Sequence, residues 1–224
     1  MSINNHKKIH ITEGHSPILI SAPHAVPIKK RTKERTYIRR REARADELVK
    51  EVCLNTNSWG ITTKSEKAIK NWRNKGGVYY TYRKTVNEII KSKNICLFID
   101  IHGARKTRPF LIDYDFIYPE NHQQDDYLEE VLIKSLHKYF PKHSISNGFF
   151  RKINGPGTKT LTYHVRKKLG IPAVQLEINK ALKDSDENFY AVAEVISLIV
   201  EKYKKNLSSV NIKNKEIYQH QHIK

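Results

Sequence analysis

The sequence predicts an α/β fold, a three-layer sandwich in which a mixed, mostly parallel central sheet carries helices on both faces. Three observations predict it. Short apolar runs at 18–22, 95–101 and 171–176, rich in Ile, Leu, Val and Phe, read as strands buried on both sides of a largely parallel sheet. Segments with apolar residues at helical spacing alternate with those runs, the order expected of an α/β sandwich. The 224 residues, 38% of them hydrophobic, suffice for one sizeable core.

Residues 7–12 alternate and read as an edge strand, closed by the Glu13-Gly14 turn. Residues 17–22 form the first core strand, followed by His24 and a basic loop. Ala43, Ala45, Leu48, Val49 and Val52 recur at helical spacing, so a helix is expected over 40–54. A short strand follows at 59–63. Tyr79, Tyr82, Val86 and Ile89/Ile90 mark one face of an amphipathic helix over 78–90. The run 95–101 is a strand, and 110–118 alternates as another, ended by Pro119. A helix over 128–140 is stopped by Pro141. Asn154-Gly155-Pro156-Gly157 reads as a loop, and 158–168 as a helix closed by Gly170. A strand at 173–178 and a strongly apolar helix over 188–204 complete the core. Residues 1–205 thus read as one domain, and the polar segment 206–224 as a flexible tail.

No stretch approaches the roughly 20 apolar residues of a membrane span. The first ten residues are polar and lack the apolar core of a secretory signal. Of the two cysteines, Cys53 falls in a helix and Cys96 in a strand, and neither has CxxC spacing. A disulfide framework and thiolate zinc chemistry therefore find no support, and a cytoplasmic protein is expected. The formal charge of +18, with nine basic residues over 29–44, invites a nucleic-acid partner. No zinc-finger, RNP1 or basic-zipper signature accompanies that charge. Solvated charge, or steering of an acidic ligand, is the favoured reading.

Chemistry-bearing residues stand where the apolar runs end. His24 follows the first, His102 the second and Glu177 the third. Ligands of open α/β sheets bind beyond the carboxyl ends of the strands, so these three side chains are expected at one rim. Asp100 and His102, two apart, share a strand face, and Asp100 can accept the imidazole N–H that a metal does not use. Gly103 permits close approach of another chain or a ligand. Gln175, Glu177 and Asn179 alternate with Leu176 and Ile178 and project to one face, which is costly unless they line a cavity. Two imidazoles and a carboxylate with an open fourth position suit catalytic Zn²⁺. The ligating carboxylate is expected from the helix after the basic loop, where Glu42 and Asp46 stand four apart on one face; one can ligate while the other supports. Glu177 suits a proton shuttle between water and a leaving amine.

Four segments, Ser21-Ala22-Pro23-His24-Ala25, Arg41-Glu42-Ala43-Arg44-Ala45-Asp46-Glu47-Leu48, Phe98-Ile99-Asp100-Ile101-His102-Gly103 and Ala173-Val174-Gln175-Leu176-Glu177-Ile178, together resemble the N-formylglutamate amidohydrolase family. That family shares its fold with zinc carboxypeptidases and aspartoacylases. The resemblance spans residues 17–182 and implies a phosphorylase/hydrolase-like fold with zinc as cofactor. It implies His24 and His102 as zinc ligands, Glu42 as the third, and Glu177 as the catalytic carboxylate. The chain departs from the family at Ala25-Val26, where Ser-Gly is common, and at Glu42, which lacks an adjacent aspartate. The third ligand thus stays open between Glu42 and Asp46. Asn71-Trp72-Arg73 and Tyr79-Tyr80-Thr81-Tyr82-Arg83 are similar to the family's Asn/Arg segment and tyrosine-rich helix, which makes Asn71, Arg73 and Arg83 substrate-binding candidates.

The expected activity is zinc-dependent hydrolysis of the amide of an N-acyl amino acid or another small acidic amide. Peptides or γ-glutamyl amides would suit the same site. A basic nucleic-acid-binding protein with a vestigial metal site is the reading from another class. Arg105, three residues beyond His102, is the nearest candidate to stabilise an oxyanion or clamp a carboxylate. Asn147 and the loop 154–158 are candidates for a wall or lid, and Tyr163 for a hydrogen bond to substrate. Asp46, Asp100 and Gln175 are expected to support the ligands and the base.

Overall fold

The computed structural model describes residues 8–31, 36–65, 69, 77–116, 123–154 and 160–221. In chain order the elements are β1 (Ile9–Thr12), β2 (Ser16–Ala22), β3 (Ile28–Arg31), β4 (Thr36–Arg39), α1 (Ala45–Thr56), β5 (Ser58–Thr63), α2 (Val78–Ser92), β6 (Leu97–Ala104), β7 (Ile112–Phe116), α3 (Gln123–Tyr139), β8 (Ile145–Asn147), α4 (Phe149–Asn154), α5 (Leu161–Leu169), β9 (Ala173–Asn179) and α6 (Asp186–Gln221). Seven strands form one sheet in the order β1-β5-β2-β6-β9-β7-β8. The four central strands β5, β2, β6 and β9 run parallel. β1 is antiparallel to β5, β7 is antiparallel to β9, and β8 is parallel to β7. This is the mixed, mostly parallel sheet that the apolar runs predict.

Alternation along the strands assigns the two helical layers. Ile18 and Ile20 of β2 belong to a core with Leu48 and Val52 of α1, Leu132 of α3 and Ile196 of α6. Leu19, between them, packs instead with Tyr82 and Val86 of α2 and Val165 of α5. The same division holds in β6, where Leu97, Ile99 and Ile101 take the first side and Phe98 the second. Burying each such aliphatic or aromatic side chain contributes about 1.5–3 kcal/mol. A one-residue slip would turn every one of them to the wrong layer, so the register is strongly specified.

The structure differs from expectation in four places. The basic loop after His24 contains a second, two-stranded antiparallel sheet, β3 with β4. Its anchor is Ile28, which packs with Val26, Ile69 and Val78; one apolar residue among lysines leaves no period to read. The helix expected from residue 40 starts at Ala45, because Arg44 adopts a left-handed backbone (φ 53) that interrupts it. β8 and α4 are three and six residues long, too short to carry a periodic signal. Finally, α6 runs on through much of the segment expected as a tail, since no glycine or proline occurs after Asp186 to stop it. No helix among the described residues is long and apolar enough to cross a membrane.

Candidate metal centre

Strand register lines up the polar residues. On the face toward α2 and α5, Ser21 of β2, Asp100 of β6, Gln175 of β9 and Asp115 of β7 stand side by side across four strands. Next to that row, His102 is opposite Glu177, and Glu177 is opposite Asp113. Nearer the start of the parallel strands the same face is apolar, with Leu19, Phe98 and Ala173. A polar stretch on an internal sheet face is tolerated where it borders space. A cavity of about 280 Å³ lies there, shared by His24, His102, Glu177, Arg39, Tyr79 and Phe150.

His24, Glu42 and His102 each offer one ligand atom, and these atoms all lie within 4.8 Å of one another. The backbone N–H of Glu42 donates to the carbonyl of His24 at 3.0 Å, which ties the segment before α1 to the end of β2. His102 Nδ1 is 3.4 Å from Glu42 Oε2, and its Nε2 is 3.2 Å from Asp100 Oδ2. Asp100 is fully buried and also accepts from the Thr162 hydroxyl at 3.3 Å. The carboxylate therefore accepts from Nε2–H and turns Nδ1 toward Glu42. Arg39 forms an ion pair with Glu42 Oε1, while Oε2 is buried with no hydrogen-bond partner among the described residues. Ligands about 2.0–2.2 Å from a tetrahedral divalent ion stand roughly 3.3–3.5 Å apart, so the Nδ1–Oε2 spacing and the donor set fit a metal ion.

Electrostatics separate the two glutamates. Burial pushes the Glu42 carboxyl up, but the imidazoles of His102 and His24 and the Arg39 guanidinium outweigh it and hold the group at about 2. Burial likewise dominates at Glu177, opposed by His102 and reinforced by Glu42, and it pushes that carboxyl up to about 7. Burial pulls His102 down, yet Asp100 and Glu42 together keep it well above the ordinary histidine range. Gln175 Nε2 donates to Glu177 Oε1 at 3.0 Å and orients the carboxyl. Two neighbouring carboxyls with opposite perturbations suit opposite tasks, one as a charged ligand and the other as a proton carrier.

No protein-family model and no curated protein matches the sequence. Solved structures do match. An N-formylglutamate amidohydrolase from Ralstonia eutropha superposes with TM-score 0.58 at 10% identity, covering 90% of this chain and 98% of that one. The chain shares its fold with an N-formylglutamate amidohydrolase. A gene product of Agrobacterium tumefaciens is similar at TM-score 0.61 and 12% identity, over 94% of this chain and 99% of its own. A bacteriophage poly-gamma-glutamate hydrolase matches at TM-score 0.51 and 13% identity, over 88% and 89%. At these identities the likeness is one of fold.

Within this fold the residues expected at the site are distributed unevenly. His24, Glu42, His102, Asp100, Gln175 and Glu177 come together. Asp46 does not share a helix face with Glu42, because α1 begins between them; it borders a separate cavity with His10, Arg41 and Lys50. Arg105 is exposed beyond the end of β6 and does not line the 280 Å³ cavity. The Arg83 guanidinium lies 5.3 Å over the Tyr80 ring. Tyr163 is half-buried on α5 away from the cavity wall, and Asn147 is exposed at the end of β8. Asn71, Arg73 and residues 155–158 lie outside the described residues. Asn179 does not join Glu177 in the cavity; it is buried, donates to the Phe110 carbonyl at 2.7 Å and accepts from Ala181 N–H at 3.0 Å. Sequence reasoning missed two cations, Arg39 and Lys183. Lys183 is buried without a hydrogen-bond partner among the described residues. Its Nζ lies 3.0 Å from where a Cβ on Gly103 would be.

Proposed function

We propose that this protein is a zinc-dependent amidohydrolase that cleaves the amide bond of an N-acyl amino acid of the N-formylglutamate type. The observation that carries the reading is the His24–Glu42–His102 cluster, whose two histidines line one cavity with Glu177. The donor set, two imidazoles and one carboxylate, is that of catalytic zinc sites with an open position. The chemistry a bound zinc ion supplies is polarisation of the scissile carbonyl and a water whose pKa is about 7.

The chain's own residues do the rest. Glu177 accepts a proton from the attacking water and delivers it to the amine nitrogen as the C–N bond breaks, giving a carboxylic acid and a free amine. Burial pushes this carboxyl up in the metal-free protein, the direction a proton carrier working near neutral pH needs. Gln175 holds one oxygen of Glu177, so the proton is carried in a fixed orientation. Asp100 holds the His102 ring by its Nε2–H. Tyr79, Phe150 and Leu161 wall the cavity and restrict water around the reacting groups. The cavity volume suits a small amide rather than a folded protein.

Elemental analysis of wild type, His24→Ala and His102→Ala tests the reading. About one zinc per chain is expected in the wild type and loss in both variants; a wild type without bound metal overturns the proposal. Glu177→Gln is expected to keep zinc and lose about 10²–10⁴-fold in turnover on N-formyl amino acids, assayed beside a γ-glutamyl amide. Full activity of that variant would remove Glu177 from the proton path.

A further inference from the structure

We propose that Arg39 is a positioning residue that makes Glu42 a one-oxygen ligand, holding Oε1 and leaving Oε2 to the metal ion. The inference rests on the metal-centre reading above. Arg39 ends β4 and reaches the site from outside the main sheet. Its guanidinium pairs with Glu42 Oε1; the Arg39 side chain is 36% exposed and the Glu42 side chain 5%, so the carboxylate end of the pair is buried. Oε2, by contrast, has no hydrogen-bond partner among the described residues and faces His102 Nδ1 at 3.4 Å. The two oxygens of one carboxylate thus have different surroundings, and only one of them faces the ligand cluster. Among the described residues that line the 280 Å³ cavity, Arg39 is the single arginine or lysine. Its neighbours are not equivalent: Arg40 is exposed, and Arg41 borders the other cavity.

An unrestrained carboxylate can present both oxygens to a cation and occupy two coordination positions. A guanidinium bound to one oxygen removes that option, because charge-assisted hydrogen bonds of this kind are directional and strong. The consequence is an open position for water and substrate, which a catalytic site requires and a structural site lacks. Charge alone predicts the opposite of positioning. A guanidinium beside a divalent cation repels it, so removing Arg39 should tighten metal binding if charge were its whole effect. If Arg39 positions Glu42, removing it leaves a mobile carboxylate that must be ordered again when the ion enters, and that lost preorganisation weakens binding even where both oxygens can reach the ion.

The test uses the full chain, stripped of metal, with Zn²⁺ affinity measured by chelator competition and Co²⁺ substitution read by visible absorption. Arg39→Ala is expected to weaken Zn²⁺ binding about 10- to 100-fold. Its Co²⁺ bands should also lose intensity as Glu42 closes onto the ion through both oxygens and coordination rises above four. Arg39→Lys keeps the charge and one donor and should fall between wild type and alanine. Arg40→Ala, a control that removes an equal charge next door, should stay within twofold of wild type. Equal or tighter binding by Arg39→Ala, or an unchanged Co²⁺ spectrum, overturns the inference. If circular dichroism shows Arg39→Ala unfolded, Arg39→Lys decides: weaker binding supports the proposal, and equal or tighter binding overturns it. A wild type that takes up no Zn²⁺ overturns the metal centre itself and this inference with it, an outcome distinct from equal affinity in wild type and variant.

Discussion

Gly103→Ala separates the demands of the site from those of the fold. The added Cβ would lie 3.0 Å from Glu42 Cβ, 3.2 Å from Glu42 Cγ and 3.0 Å from Lys183 Nζ. Carbon atoms rest about 3.5–4.0 Å apart, so Glu42 would have to withdraw by a few tenths of an ångström. Lys183 Nζ is the end of a flexible side chain and can yield. Glu42 Cβ cannot yield alone, since its own backbone N–H is tied to the His24 carbonyl at 3.0 Å. Gly103 lies inside β6, and alanine there gains about 0.5–1 kcal/mol by restricting the unfolded chain. Overpacking costs about 1–3 kcal/mol. The net loss is on the order of 1 kcal/mol, a fall in Tm of about 2–4 °C for a chain this long. The metal site should suffer far more, about 10- to 100-fold in Zn²⁺ affinity, because the displaced atoms belong to a ligand. Thermal unfolding of the metal-free protein and chelator competition on the same samples read the two effects separately. Wild-type affinity in a variant whose Tm has fallen would refute the argument that Gly103 exists to admit Glu42.

Two further predictions concern the metal-free protein. Glu177 is pushed from 4.5 to about 7 in the folded state, so the native chain holds an extra proton between those values. Stability from this group is therefore full below about pH 4.5 and is lost as pH rises through 7, by as much as about 3 kcal/mol. Glu177→Gln should flatten that slope in urea titrations at pH 5 and pH 8 with chelator present; parallel slopes would contradict the burial argument. Thr160 caps α5 by accepting from Tyr163 N–H at 3.1 Å. Thr160→Ala should lower stability by about 1 kcal/mol, seen as a lower urea midpoint at constant m-value. No change in midpoint would show that the cap contributes nothing.

What could be read from the sequence follows from how each residue's position is set. β2, β6 and β9 lie between two helical layers, so each leaves a mostly apolar run whose end is visible, and His24, His102 and Glu177 stand at those ends. Glu42 could not be separated from Asp46, because the start of α1 is set by the left-handed backbone of Arg44, a conformation that arginine seldom adopts. Arg39 is indistinguishable from Arg40 and Arg41 in a run of three, and only the pairing of β3 with β4 brings it to Glu42. Arg105 was chosen for nearness along the chain, yet by that point the chain has left the strand and points outward.

Register, rather than proximity in sequence, is what assembles the centre. His102 lies opposite Glu177, and Asp100 opposite Gln175, because Leu176 and Ile178 must face α1, α3 and α6. Slip β9 by one residue and those two leave their core, while Glu177 enters it beside Ile99 and Ile101. An unpaired buried carboxyl there would cost several kcal/mol on top of the lost apolar burial. The alternation that holds the sheet together therefore also enforces the placement of the proton carrier. A substitution in the apolar half of β9 should reach the site only through that register, leaving Glu177 in place as long as Val174, Leu176 and Ile178 stay apolar.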